Sequence, residues 1–491
     1  MNEITILVLI VTIALVAISL WFGRKKRNFP QCPVFTLPII GNLLSLSGDQ
    51  RSQYRKWRKK CGDIFCLYVG SKTIIVLNGY ELLKEVIIKR GNEFSDRPVS
   101  SFDTMAGSVG LGVITSSGKI WKEHRAVTLN ILRKFGMGKN LLAERMQEEV
   151  NHYLDHLSSY HGNPVDIRLI TRTSLSNVMC AMMFGQRFDY TDTKFNTFMA
   201  YLGDLFHYFY LNSFTDFLPF LRHLPGDFFK VKLLKREMKE LFQFFNVMVE
   251  RIRQDSTQES VISSYLEEQE RRRKSGEDTT MDQENLLKFI FDMFIGSSET
   301  TPGTIYWFVL YMINFPEVQE KVFAEIKENV GTERVPTIQD KTKLHYLHAA
   351  ILETQRLCSL AANSFFHTCL QDTTIQGYDI PKGAYIVPCL DSVMYDENIW
   401  GKDVMNFRPE RFLDPDGYVH IPEEFVPFSL GKRICVGESF ANTALVIYLS
   451  NMLQKFQFLA VDPKNPPSMD YQFGLTVLAQ SYEVKIVARE N

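Results

Sequence analysis

Cys435 lies in the run PFSLGKRICVG, Pro427 to Gly437, which places an aromatic residue, a glycine and two cations before the thiol and a second glycine after it. Packing, disulfide formation and ligation all use a thiol, but only ligation accounts for these neighbours. A thiolate ligand needs hydrogen-bond donors around the sulfur, close backbone approach and an apolar cover that excludes water. Gly431 and Gly437 permit tight turns, and Phe428 supplies the cover. The other spacings that suggest chemistry are weaker. His152 and His156 are four apart and His345 and His348 three apart, yet neither pair stands in HExxH, so they read as surface helix residues rather than zinc ligands. GSVGLG, Gly107 to Gly112, is not GxGxxG, and GMGK, Gly136 to Lys139, is not a phosphate-binding loop. The eight cysteines are scattered with no CxxC pair. That pattern fits a reducing compartment in which most of them act as small buried hydrophobes.

Helices must position this chemistry. Val436 to Leu449 reads as one, with Cys435 at its positive N-terminal end. Leu286 to Asn314 and Tyr346 to about Leu360 carry long helical patterns, while Ile64 to Val76 and Thr373 to Val387 carry short β patterns with turns at Gly377 and Pro381-Lys382-Gly383. The most polar run, Glu267 to Asn285, is expected to be a solvated loop. It is too short to divide the chain, so one large, mostly helical body is expected rather than several domains.

Hydrophobic residues make up 45% and charged residues 23%, and the net charge of -1 gives no global field for nucleic acid. Ile4 to Phe22 carries no charge and makes about 29 Å of helix, enough to cross a bilayer. Arg24 to Arg27 follows, so the positive-inside rule puts the remainder in the cytosol. The expected organisation is a transmembrane signal anchor over residues 1–23, a basic and proline-rich hinge over 24–42, and a catalytic domain over 43–491.

FxxGxRxCxG is matched in full at Phe428, Gly431, Arg433, Cys435 and Gly437. ETQR supplies ExxR at Glu353 and Arg356, FRPERF supplies Arg411, and WKEHR supplies WxxxR at Trp121 and Arg125. With these motifs the whole chain resembles the cytochromes P-450, the haem-thiolate monooxygenases. The proline-rich hinge, Gly62 to Phe65, Phe94 to Pro98 and Asn177 to Tyr190 resemble the microsomal family-two branch.

The resemblance implies a mainly α (α+β) fold, with a small β region around a buried haem b whose axial ligand is Cys435. It also implies that Glu353, Arg356 and Arg411 form a buried cluster. Arg97, Trp121, Arg125, His367 and Arg433 are the expected partners of the haem propionates, and Phe428 and Gly431 shape the ligand loop. In the run FDMFIGSSETTPG, Glu299 and Thr300 are the expected catalytic pair, because an acid and an alcohol with ordered water can deliver protons to bound dioxygen. Four positions depart from the family pattern: Ser297 stands for a usual glycine, Pro302 is unusual, Ala362 stands where many relatives have proline, and Ala444 replaces a common glutamate. Pro302 cannot donate to the Ser298 carbonyl, and the Ser297 hydroxyl is expected to order a water there.

Without a nicotinamide or flavin motif, electrons must come from a partner, by resemblance an NADPH-cytochrome P-450 reductase. Lys122, Arg133, Lys134, Lys139 and Lys432 form a candidate docking face. The aromatic-rich stretch Tyr201 to Phe245 is expected to be part core, part pocket roof and part membrane lipid contact, favouring a lipophilic substrate (fatty acid, steroid or xenobiotic). The expected location is the endoplasmic reticulum membrane. Two rival readings remain: a haem-thiolate isomerase or dehydratase acting on peroxides without a reductase, and a haem sensor without turnover.

Overall fold

The computed structural model describes residues 5, 6, 8, 9, 11–14, 16, 28–46, 48–135, 140–223, 225–255 and 259–489. Most of the apolar stretch Ile4 to Phe22 and the basic run Arg24 to Arg27 lie outside them. The described positions within that stretch are helical, and among the described residues no helix is long and apolar enough to cross a membrane.

The β patterns form where expected. Strands β1 (Ile64–Val69) and β2 (Lys72–Leu77) pair antiparallel, with the turn at Gly70. β2 then pairs in parallel with β6 (Tyr385–Pro388), whose other edge takes the short β3 (His367–Thr368) antiparallel. Between these, β4 (Thr373–Ile375) and β5 (Tyr378–Ile380) make a separate hairpin. Residues of β1, β2 and β6 are buried on both faces, against Trp57 and Tyr54 on one side and Leu83, Phe94 and Val393 on the other. The sheet thereby becomes a rigid shelf that carries His367 on its edge.

Helices make up the larger body. Those that bear on the site are α1 (Ser101–Ala106), α2 (Gly118–Lys134), α3 (Arg168–Phe184), α4 (Thr193–Phe217), α5 (Val231–Gln254), α6 (Gln283–Ser298), α7 (Thr300–Asn314), α8 (His345–Cys358) and α9 (Glu438–Lys455). α7 is apolar all round and buried along nearly its whole length, as a central helix must be.

Two expectations are corrected. Leu286 to Asn314 is not one helix: it breaks at Glu299, whose φ of -122° and ψ of -39° leave the helical region. Pro302 then falls in the first turn of a new helix, where the backbone N–H groups have no intrahelical acceptor and the missing one costs nothing. The polar run Glu267 to Asn285 is only partly a loop. Its first half continues the helix Val261–Ser275, and its last residues open α6. Pairs at i,i+3 and i,i+4 hold that exposed helix: Glu268 with Arg271 and Arg272, and Glu270 with Arg273 and Lys274.

Candidate functional site

Cys435 ends an irregular loop that is shaped by its glycines. Gly431 adopts φ +73°, and a side chain there would come within 2.4 Å of the Ile87 carbonyl oxygen, so only glycine lets the loop lie against that backbone. Beyond it, the Cys435 N–H donates to the Phe428 carbonyl across 3.0 Å, closing the loop beneath the thiol. The backbone N–H groups of Gly437 and Glu438 favour the thiolate, and α9 begins at Glu438, two residues later than expected. Cys435 is the only one of the eight cysteines whose side chain is exposed, yet the protein packed around it desolvates the thiol and pushes its pKa up. Accessible surface inside dense protein means that the sulfur faces an internal opening rather than bulk solvent.

Five cationic or donor side chains, Arg97, Trp121, Arg125, His367 and Arg433, converge nearby, two of them from α2. Arg97 donates through Nη1 to the carbonyls of Phe365 and Phe366, at 2.9 Å each. Arg125 on α2 donates to the Ile434 carbonyl at 2.7 Å, and Arg433 donates to the carbonyls of Ser95 and Ser116. The Arg433 guanidinium lies 3.9 Å from the centroid of the Trp121 ring. None of the three arginines has a carboxylate within ion-pair distance among the described residues. Burial first, and then mutual repulsion, hold Arg97 down at about 9 and Arg433 at about 8. Burial likewise keeps His367 well below the ordinary histidine value, and its Nδ1 lies 2.6 Å from the Phe94 carbonyl oxygen.

Three polar atoms here are buried with no partner among the described residues: Trp121 Nε1, Arg97 Nε and His367 Nε2. Buried donors and unpaired cations in such number are costly unless an anion meets them. The set fits the two propionates of a haem, and the exposed sulfur of Cys435 fits its iron.

α6 and α7 carry the expected acid and alcohol. Gly296 is exposed near the C-terminal end of the mostly buried α6, and a side chain added there would meet nothing within 4 Å. The Thr300 hydroxyl, on the same open stretch, donates to the Gly296 carbonyl at 2.7 Å. Glu299 points elsewhere: its carboxylate is buried and pairs with Arg172 on α3. Burial raises its pKa, against the opposing pull of Arg172 and Arg168. The Ser297 hydroxyl donates to the Met293 carbonyl of its own helix at 2.9 Å, so it is not free to donate to a water beside Ser298 as expected.

The Glu353 cluster is assembled as anticipated. Glu353 accepts from Arg356 at 2.7 and 2.9 Å and from Arg411 at 3.1 Å, and Arg356 also donates to the carbonyls of Met394 and Val404. It ties α8 to the segment that leads into the cysteine loop. Of the candidate docking cations, Lys122, Arg133, Lys134 and Lys432 are exposed, while Lys139 lies outside the described residues. In the aromatic stretch, Phe217 and Phe245 are core, while Phe220 and Phe228 are exposed, a mixture as expected.

Sequence reasoning missed a polar stripe on α6. Asn285, Lys288 and Asp292 are buried and share one face of the helix with Gly296. Their spacing of three and four inside an apolar run was the available signal.

A sequence profile of the family described as Cytochrome P450 matches residues 30–486. The chain is 35% identical to cytochrome P450 2C3 of Oryctolagus cuniculus over 480 residues, covering 96% of this chain and 97% of that one. It is 33% identical to cytochrome P450 2E1 of Oryctolagus cuniculus over 485 residues, covering 97% of each chain. With cytochrome P450 18a1 of Drosophila melanogaster it shares 29% over 492 residues, covering 97% of this chain and 90% of the relative.

Proposed function

The chain belongs to the cytochrome P450 family of haem-thiolate monooxygenases, and from that premise we propose that it inserts one atom of dioxygen into a lipophilic organic substrate with electrons from an NADPH-dependent reductase. The observation that carries the site assignment is the combination of the cysteine sulfur open to the interior and three guanidiniums, Arg433 buried and Arg97 and Arg125 partly so, with no carboxylate in ion-pair distance among the described residues. Cys435 would ligate the haem iron through its thiolate, and Arg97, Trp121, Arg125, His367 and Arg433 would hold the propionates.

When bound, the haem supplies the activation of dioxygen, which a thiolate ligand assists by electron donation. The protein's own work is positional and protic. The loop from Phe428 to Gly437 fixes the sulfur and surrounds it with N–H donors, and Phe428 and Gly431 give it cover and close support. Gly296 leaves room beside the open stretch of α6, and the Thr300 hydroxyl, whose own proton the Gly296 carbonyl holds, can accept a hydrogen bond from a water and so position it for proton delivery. Glu299 contributes as a proton source when its pairing with Arg172 opens, and its raised pKa favours the protonated form that this needs.

The stretch Ile4 to Phe22 is the membrane anchor, residues 24–42 the hinge and 43–491 the catalytic domain, which places the protein at the endoplasmic reticulum membrane with that domain in the cytosol. The outward-facing apolar side chains of Ile6, Val8, Leu9, Val11, Ile13 and Val16 support the anchor. The reductase docks on the face of Lys122, Arg133, Lys134 and Lys432. Reconstitution with reductase tests the function: substrate-dependent NADPH and dioxygen consumption with product is expected. Turnover of an organic peroxide alone would favour the isomerase reading, and binding without turnover the sensor.

A further inference from the structure

Beside Ile295, a small internal space is walled by apolar groups such as Phe102, Leu205, Phe291 and Phe365, but one part of its lining is charged. Lys288 reaches Asp292 Oδ1 at 2.8 Å and Asp103 Oδ1 at 3.4 Å, and all three side chains are almost fully buried. Asp292 also accepts from the N–H groups of Val113 and Ile114 at 2.7 and 3.0 Å. The Gly-rich run Gly107 to Gly112 makes this approach possible: Gly112 has φ +77°, and a side chain there would come within 2.4 Å of Asp292 Oδ2. Burial works against the Lys288 charge, and the two aspartates more than restore it, so the ammonium persists.

An ammonium has three N–H donors, and only two acceptors meet this one among the described residues. On the same cavity wall the Thr115 hydroxyl is buried without a partner. Two donors are therefore available to whatever enters. The cluster already holds two carboxylates against one ammonium, so a further carboxylate is repelled, while a neutral carbonyl oxygen has two lone pairs for the two donors.

Deepening the monooxygenase reading and resting on it, we propose that Lys288 and Thr115 are specificity-determining residues that bind a neutral carbonyl oxygen at one end of a lipophilic substrate. Lys288 and Gly296 are eight residues apart on one helix, about 12 Å at the α-helical rise, and the Lys288 ammonium reaches toward Gly296 as far as Asp292. A substrate held by its carbonyl therefore presents a carbon further along its chain to the open stretch at Gly296.

Spectral titration of the haem-loaded wild type with methyl decyl ketone, dodecane and dodecanoate tests this. The ketone is expected to bind about tenfold more tightly than either of the others. Thr115→Val, a change of shape too small to threaten folding, should weaken ketone binding about three- to tenfold and leave dodecane unchanged, as for one lost hydrogen bond. Lys288→Met should erase the preference for ketone over dodecane. Equal binding of ketone and dodecane by the wild type, tighter binding of dodecanoate, or unchanged ketone affinity in Thr115→Val overturns the proposal. Failure of the monooxygenase reading looks different: the wild type would then lack the red-shifted reduced-carbonyl band itself.

Discussion

Thr300 donates its hydroxyl proton to the carbonyl of Gly296 across 2.7 Å, bridging the break between α6 and α7. The bond leaves the hydroxyl lone pairs facing the open stretch. Thr300→Ala is therefore expected to leave substrate binding and reduction nearly intact while product formed per NADPH falls several-fold and peroxide rises. Unchanged coupling would remove the proton-delivery role from this residue. Thr300→Ser, which keeps the hydroxyl, should recover most of the coupling.

Ser297→Gly should be close to neutral for coupling. Among the described residues the hydroxyl meets the Met293 carbonyl, and more distantly the Phe294 carbonyl, of its own helix, and such local bonds contribute little stability. A marked rise in peroxide release in this variant would restore the water-ordering role expected from the sequence.

Cys435→Ser should lose the strongly red-shifted reduced-carbonyl Soret band, while serine at the buried Cys180 or Cys358 leaves the band in place. A retained band in Cys435→Ser would remove the ligand assignment.

The arginine cluster predicts opposite effects in the two forms of the protein. Arg97→Met takes away one of three clustered, at least partly buried cations that repel each other, so the haem-free protein should gain thermal stability. The same change should weaken haem retention about ten- to a hundredfold, in line with a lost charge-assisted hydrogen bond. Haem transfer to apomyoglobin measures the second effect and calorimetry the first. Loss of stability in both forms would mean that Arg97 serves packing alone.

Glu353→Gln should be severe. Arg356 and Arg411 would keep their buried charges and lose the carboxylate between them, a loss of about 3–5 kcal/mol for a broken buried pair. Little folded holoprotein is expected, read as the yield of the red-shifted band per unit of protein.

Most of the scaffold was legible because it follows local rules. The sheet hairpin, α8 and α9 were visible as periodicity, and the Cys435 loop as glycines that tolerate no side chain. The break at Glu299 was not visible, since a proline three residues further on reads equally as a kink or as the first turn of a new helix. The partner of Glu299 was equally hidden. Arg172 is 127 residues away, and nothing in a helical run marks which cation will meet which acid. The charged lining around Lys288 lay between the two cases: its spacing was readable, but its partner Asp103 comes from α1, far away in the sequence.

The unpaired arginines also have a consequence for the life of the chain in a cell. A newly made copy carries a concentrated positive charge in its interior until two carboxylates arrive with the prosthetic group. Ligand capture then shifts the folding equilibrium by mass action, and copies that fail to capture it spend longer in opened forms that proteases can cut. Abundance should therefore track the supply of haem, and a shortage should be felt as faster turnover of the polypeptide.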